Sequence, residues 1–326
     1  MGLGFMKNTQ AILRNWVDLA AGEYKGITAP ISGSGSDATG RGVCGLGSTY
    51  TNVVTGVKYI NEGTALDPYW TPVSIFQPNL LSWGSDFRDG AGKAVADTAA
   101  TATIPGSGLR VFGTGIEETD SGLTVAIGED GAIGSLIASA TSGKVAALGV
   151  GITTSVPFQP DAHGPLVLDV LITNLSAITA RKVFCGFLGT AADALASPTT
   201  GATTVITMVQ DDMAGLLMDS GLTAASRIFA PHNKSDEAAS ISTTATGVDT
   251  GVNMAAAGTY QRLRVEISAA GVMTCFIDKI QVTQIAASLD VNEEVAPVLC
   301  ITSLASATKT LLIKKFNTWG YRPSGL

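Results

Sequence analysis

Short runs in which apolar and polar residues alternate dominate the second half of the chain. In QRLRVEI, Leu263, Val265 and Ile267 take one side and Arg262, Arg264 and Glu266 the other. That period of two predicts an antiparallel strand with one face toward solvent. The same reading between about 158 and 326 predicts strands at LVLDVLI, RKVFCGFLG, AGLLMD, SRIFA, VMTCFID, QVTQIA, VLCITSL, KTLLIKKF and TWGYR. Turns fall at Ser268-Ala269-Ala270-Gly271 and at Asp278-Lys279. Further short runs, LRVFGTGI, GLTVAIG and KVAALGVGI, lie between 91 and 157 and are separated by glycines. Many short strands at close spacing, punctuated by turn residues, predict a mainly β chain folded as an antiparallel β-sandwich of jelly-roll or concanavalin-like type. There is no internal repeat of the kind that builds a propeller or solenoid.

The first 90 residues follow a different rhythm. Ile12, Trp16 and Leu19 recur at helical spacing, Thr9 stands where it can cap a helix and Gly22 where it can end one. A short amphipathic helix over 9–21 follows. Residues 32–47 (SGSGSDATGRGVCGLG) are rich in Gly and Ser with little to bury and predict a flexible linker. From there to about residue 90 the β-prone runs break at Thr55-Gly56, Glu62-Gly63 and Asp67-Pro68, as in a hairpin. The expected organisation is an N-terminal anchoring arm over 1–90, with helix and β-hairpin, and an outer sandwich over 91–326 whose start lies within 91–157.

Composition narrows the class. Hydrophobic residues make up 45% of the 326 positions and charged residues 14%, against roughly 25% charged in an average domain. Disorder, which needs low hydrophobicity and high net charge, is excluded. The formal charge of −7 without basic clusters argues against nucleic-acid binding, because phosphate contacts dominate that affinity. A mean hydropathy of +0.31 raises the question of a membrane. The most apolar stretch, 136–152, is nevertheless broken by Lys144 and several Gly, Ser and Thr residues, whereas a spanning helix needs roughly 20 apolar residues in a row. The first residues lack the pattern of a secretory signal. The expectation is a soluble protein made in the cytoplasm, with its apolar excess buried between subunits.

Candidate chemistry is sparse. Cys44, Cys185, Cys275 and Cys300 form no CxxC pair and read as buried thiols. Two histidines, His163 and His232, leave little for a zinc site or a catalytic triad. Glu118-Thr119-Asp120 fits the first half of the E-x-D-x-x-E strand signature of sandwich glycosidases, but the last position is Leu123, so the acid/base partner is missing. Asp211-Asp212, Asp236-Glu237 and Glu293-Glu294 are loop pairs without the ordered spacing of a calcium loop. The glycine-rich segments lack the Lys-Ser/Thr of a phosphate loop. No catalysis, cofactor or metal site is expected. Aromatic residues are only 6% of the chain, so the grouping of Tyr59, Tyr69 and Trp70 is informative, either as hairpin core or as an interface anchor.

The segment TGVKYINEGTALDPYWTPV resembles a hairpin that recurs in structural proteins of tailed bacteriophages. Its G-[KV]-x-Y-x-N-x-G-T-x3-P-x-W pattern is matched by Gly56, Tyr59, Asn61, Gly63, Thr64, Pro68 and Trp70, with one extra residue before the proline. The later segments FCGFLGTAADAL, DDMAGLLMDSGL, APHNKSD, TYQRLRVEISAAGVMTCFID and KKFNTWGYR are similar to phage virion proteins with a concanavalin-type sandwich. The resemblance implies a virion structural protein: a capsid decoration (cement) or head-fibre protein, or alternatively a tail-fibre adhesin that recognises host surface glycan, with a glycan hydrolase the weakest option. It implies the major capsid protein and sister chains, as a homotrimer, for partners. Ile12, Trp16 and Leu19 together with Tyr59, Tyr69 and Trp70 are then the expected partner-binding residues.

Overall fold

A computed structural model of the chain describes residues 22–26, 28–74, 80–87, 94–95, 101–104, 107–116, 122–128, 131–150, 158–174, 179–189, 195–234 and 239–321. The expected helix with Ile12, Trp16 and Leu19 lies outside them, as do Glu117, Glu118, Asp120, Asp236 and Glu237. Two compact units form: Met1–Leu80 with Lys279–Gln281, and Leu81–Asp278 with Val282–Leu326.

The small unit is built on a four-stranded sheet of β1 (Glu23–Gly26), β2 (Thr49–Asn52), β3 (Lys58–Asn61) and β4 (Trp70–Pro72), in that order across the sheet. β1 runs parallel to β2 and the other pairs are antiparallel. Its core is aromatic. The Tyr50 ring lies 6.4 Å from that of Tyr59 and 5.8 Å from that of Trp70, centroid to centroid, within the range in which aromatic pairs attract.

The expected linker over 32–47 is instead part of this fold. Ser32, Ala38 and Cys44 are buried in it. Ser32 Oγ accepts from the Trp70 amide at 2.9 Å, and the Thr39 carbonyl accepts from the Trp70 indole at 3.0 Å. A Gly/Ser-rich stretch stays flexible only when nothing offers it partners, and here the buried indole and amides do.

Apart from Leu80, Ile280 and Gln281, which belong to the small unit, the large unit contains β5 (Leu80–Ser85), β6 (Ala94–Val95), β7 (Thr101–Thr103), β8 (Arg110–Phe112), β9 (Gly122–Gly128), β10 (Gly131–Ala138), β11 (Val145–Gly149), β12 (Leu166–Asn174), β13 (Arg181–Leu188), β14 (Thr199–Ala202), β15 (Val205–Met208), β16 (Met213–Asp219), β17 (Arg227–Phe229), β18 (His232–Asn233), β19 (Ala239–Ser242), β20 (Asp249–Asn253), β21 (Gln261–Ile267), β22 (Met273–Ile277), β23 (Ile280–Ile285), β24 (Ala296–Ser303) and β25 (Lys309–Tyr321). A front sheet runs β23-β22-β21-β12-β25-β10-β9-β6, with β5 also on β25. A back sheet runs β20-β17-β16-β13-β24-β11-β8-β7, with β18 on β16. β14, β15 and β19 make a third, small sheet.

The layers follow from which residues share a core. Leu166, Leu168 and Val170 of the front sheet pack with Val183, Cys185, Phe187, Leu299 and Ile301 of the back sheet. The other face of the back sheet, with Phe184, Leu217, Val298 and Cys300, packs against Ile206 and Met208 of the third sheet. β13, β16 and β24 are therefore buried on both faces along their whole length. That is why VFCGFL and VLCIT are continuous apolar runs while the outer strands alternate. Much of the chain's apolar content is buried here within these layers.

β25 runs 13 residues where the sequence pattern suggested two strands. Opposite Leu171 and Ile172 of β12 its register skips Lys314. This β-bulge restores the alternation after two successive lysines, so that Ile313 and Phe316 both reach the core.

Candidate functional site

In the small unit the residues of the 56–70 pattern have separable tasks. Gly56 closes the β2–β3 turn at φ +72°, a conformation that costs a side chain roughly 1–2 kcal/mol. Asn61, at the end of β3 and fully buried, is the hub. Its Nδ2 donates to the Cys44 carbonyl at 2.5 Å and the Gly45 carbonyl at 3.3 Å, while Oδ1 accepts from the amides of Gly63 at 2.9 Å and Tyr69 at 2.8 Å. A Cβ on Gly63 would overlap the Asp67 carbonyl and lie 2.7 Å from the Tyr69 nitrogen. Thr64 Oγ1 accepts from the Asp67 amide at 3.0 Å, and the Pro68 carbonyl accepts from the Gly33 amide at 2.8 Å. Tyr59, Tyr69 and Trp70 are 3%, 0% and 1% exposed. They form the core of this unit and not the exposed aromatic anchor expected of partner-binding residues: burying three large rings is what lets so small a sheet hold together.

In the large unit the chemically richest place is the outer face of the front sheet. Because Leu168, Val265, Cys275 and Phe316 point inward, the intervening residues of β12, β21, β22 and β25 share the other face. The register sets Asp169 opposite Arg264 and Asn317, and Arg264 opposite Phe276. Arg262 grips Asp169 with two hydrogen bonds, Nε to Oδ1 at 2.7 Å and Nη2 to Oδ2. The Arg264 guanidinium lies between two rings, 5.2 Å from the centroid of Trp319 and 5.9 Å from that of Phe276, and its Nη2 is 2.5 Å from Glu266 Oε1. Trp319 and Phe276 are buried.

Asp169 is fully buried, which by itself raises a carboxyl pKa. The Arg262 hydrogen bonds and the charges of Arg262, Arg264 and Lys315 outweigh that and hold it below the ordinary value. An acid kept ionised in this way is a poor proton donor. The arrangement is a neutralised ladder of arginines, carboxylates and rings, with Arg262 and Glu266 partly exposed and Gln284 exposed beside the buried Thr274. This corrects the sequence expectation for β21: its polar side is not solvated, and Arg264 is only 3% exposed.

A second buried ion pair lies between the back and third sheets. Lys182 Nζ is 3.2 Å from Asp219 Oδ2 and donates to the Thr199 carbonyl at 2.8 Å, while Asp219 Oδ1 accepts from the Gly221 amide at 2.8 Å. It ties β13 and β16 to β14, a structural task.

The remaining candidates stay apart. His163 Nδ1 accepts from the Gln159 amide at 3.0 Å inside the single helical turn Pro160–His163. His232 is half-buried, and burial lowers its pKa. Asp212 is buried, whereas Asp211, Glu293 and Glu294 are exposed. All four cysteines are buried and unpaired; burial pushes the Cys300 thiol up to about 12. Among the described residues no group of three or more His, Cys, Asp and Glu side chains is arranged to hold a metal ion, and no helix is long and apolar enough to cross a membrane. Asp169 was missed as a site residue, yet a signal was present: an aspartate inside LVLDVLI has no water to face and demands a cationic partner across the sheet.

No protein-family model and no curated protein matches the chain by sequence. Among solved structures, the chain is similar to a protein of unknown function from Shewanella oneidensis MR-1, with a TM-score of 0.47 and 11% identity over 77% of this chain and 90% of that one. It is similar to domain 4 of an extracellular arabinanase from Geobacillus stearothermophilus, solved in complex with arabinotriose, with a TM-score of 0.43 and 10% identity over 76% and 95% of the two chains. It is also similar to a carbohydrate esterase from the Shiga toxin-encoding bacteriophage phi24B, with a TM-score of 0.39 and 13% identity over 66% and 91%.

Proposed function

We propose that this chain is a structural protein of a bacteriophage virion, a capsid decoration or head-fibre protein. Its small unit attaches it to the major capsid protein and to sister copies, and its sandwich is the outer domain. The observation that carries this reading is the small unit itself. Gly56, Asn61, Gly63, Thr64, Pro68 and Trp70 are each used to build the fold of this unit, so the phage-like pattern describes a structural module. The reading includes no catalysis and no cofactor. Immunogold electron microscopy of particles from a lysate that produces the chain tests it. Label over the head shell is the expected result, and particles without label would overturn the proposal.

A second reading, an adhesin for host surface glycan, is favoured by the partly exposed polar residues Arg262 and Glu266 and the exposed Gln284, whose Nε2 donates to the buried Thr274 Oγ1 at 3.3 Å. It expects label at the tail tip and saturable binding on a glycan array that Gln284→Ala weakens. Flat array signals would end it.

A further inference from the structure

Of the ten large hydrophobic side chains exposed among the described residues, seven lie between Ile31 and Val73. The hydrogen bonds of the small unit sort six of these into two groups at opposite ends of its sheet. Val43, Leu46 and Leu66 stand on the loops joined by Asn61, where Gly42 N donates to the Ala65 carbonyl at 2.6 Å and Arg41 Nε to the Leu66 carbonyl at 3.2 Å. Val53 and Val54 stand on the β2–β3 turn at the other end, and Val73 lies beside them, its amide bonded to the Lys58 carbonyl at 2.9 Å. All six are more than half exposed, from 52% at Val43 to 68% at Leu66. Scattered exposed aliphatics are ordinary; this density on one small unit marks an interaction surface.

The two ends also differ in charge. The Val43–Leu46–Leu66 end carries Glu23, Asp37, Glu62 and Asp67 against Arg41 and Lys279. The Val53–Val54–Val73 end carries Lys25 and Lys58, which flank Thr51 in register on β1 and β3, and none of residues 51–58 or 71–74 is acidic. An apolar acidic end and an apolar basic end on the same unit complement each other and not themselves. We infer that the small unit joins copies of this chain head to tail, the Val43–Leu46–Leu66 end of one packing on the Val53–Val54–Val73 end of the next. Such a heterologous interface closes into a ring when the rotation allows, which deepens the self-association within the proposed function without depending on any particle.

The test uses the purified full chain and sedimentation velocity over a concentration series at low and high salt. The expected result is a reversible oligomer whose association weakens as salt rises. Val54→Glu places an acid on the basic end and Leu66→Lys a base on the acidic end. Each variant alone is expected to weaken association at least tenfold while its circular dichroism and unfolding midpoint stay those of the parent. Mixed one to one, the two variants retain one intact end of each kind and are expected to recover association as a 1:1 complex. A parent that stays monomeric up to its solubility limit, a folded single variant that still assembles, or a mixture that stays monomeric would each overturn the inference. Loss of particle labelling with the oligomer intact would instead count only against the virion reading.

Discussion

Replacing Asp169 by Asn removes the one fully buried carboxylate of the front-sheet ladder and leaves Arg262 facing a neutral amide. Breaking one partner of a buried ion pair costs about 3–5 kcal/mol. The Arg262 side chain is 14% exposed, so water reaches part of the stranded guanidinium and the low end, about 3 kcal/mol, is expected. For a unit of this size that corresponds to a fall of roughly 6–12 °C in midpoint. The pH dependence separates charge from packing. The folded Asp169 pKa lies below its ordinary 3.8, so the ion pair stabilises the fold fully above that value, and the stabilisation drains away as pH falls toward the folded pKa. Denaturant titrations at pH 7, 5, 4 and 3 are expected to show the parent losing stability over the last step, while the gap to Asp169→Asn narrows. Pairing it with Arg262→Gln in a double-mutant cycle should return a coupling well above 0.5 kcal/mol, the spread typical of independent sites. A constant gap at every pH, or a coupling indistinguishable from zero, would show that the ladder is held by its rings and that the charges are incidental.

Asn61→Ala strips partners from the buried Cys44 carbonyl and Tyr69 amide. At about 1–3 kcal/mol for each orphaned group, residues 40–70 should become the first cut in limited proteolysis while the sandwich resists. Gly186→Ala sets a Cβ 2.6 Å from the Gly215 Cα and 2.7 Å from the Phe184 ring, at a point where Gly186 and Gly215 sit directly opposite each other in β13 and β16. A loss of roughly 1–3 kcal/mol in denaturant unfolding is expected, and an unchanged midpoint would mean the strands are not that close. Thr203 occupies φ +60° in the two-residue turn between Ala202 and Val205, a position that suits glycine in such hairpins. Thr203→Gly should therefore raise stability by roughly 0.5–1 kcal/mol once the added chain flexibility is counted, read as a higher calorimetric midpoint.

Strand positions were legible because period and turn chemistry are local. QRLRVEI is β21 and GLTVAIG is β9, residue for residue. The order of the sheets was not legible: β12 pairs β25 and β13 pairs β24 across more than a hundred residues, and nothing local encodes such partners. The loop 32–47 misled for a related reason. Its glycines signal freedom, but its fate is set by the Trp70 indole and amide and the Asn61 amide, which the sequence places 16 to 38 residues away.

The front-face ladder shows why alternation alone does not report exposure. Arg262, Arg264 and Glu266 keep the period of a solvated face, and on one strand that is the natural reading. What changes it is the company each residue keeps across the sheet: Asp169 on one side, Phe276 on the other and Trp319 two strands away. A guanidinium between two rings satisfies its charge through the ring faces and through Glu266, so it tolerates burial that a lysine at the same place would resist. The apolar excess has a parallel origin. With three sheets stacked, β13, β16 and β24 see protein on both sides, so the hydrophobic surplus is consumed inside one sandwich. Exposed apolar side chains are then left mainly on the small unit, which makes that unit, and not the sandwich, the place to look for a partner.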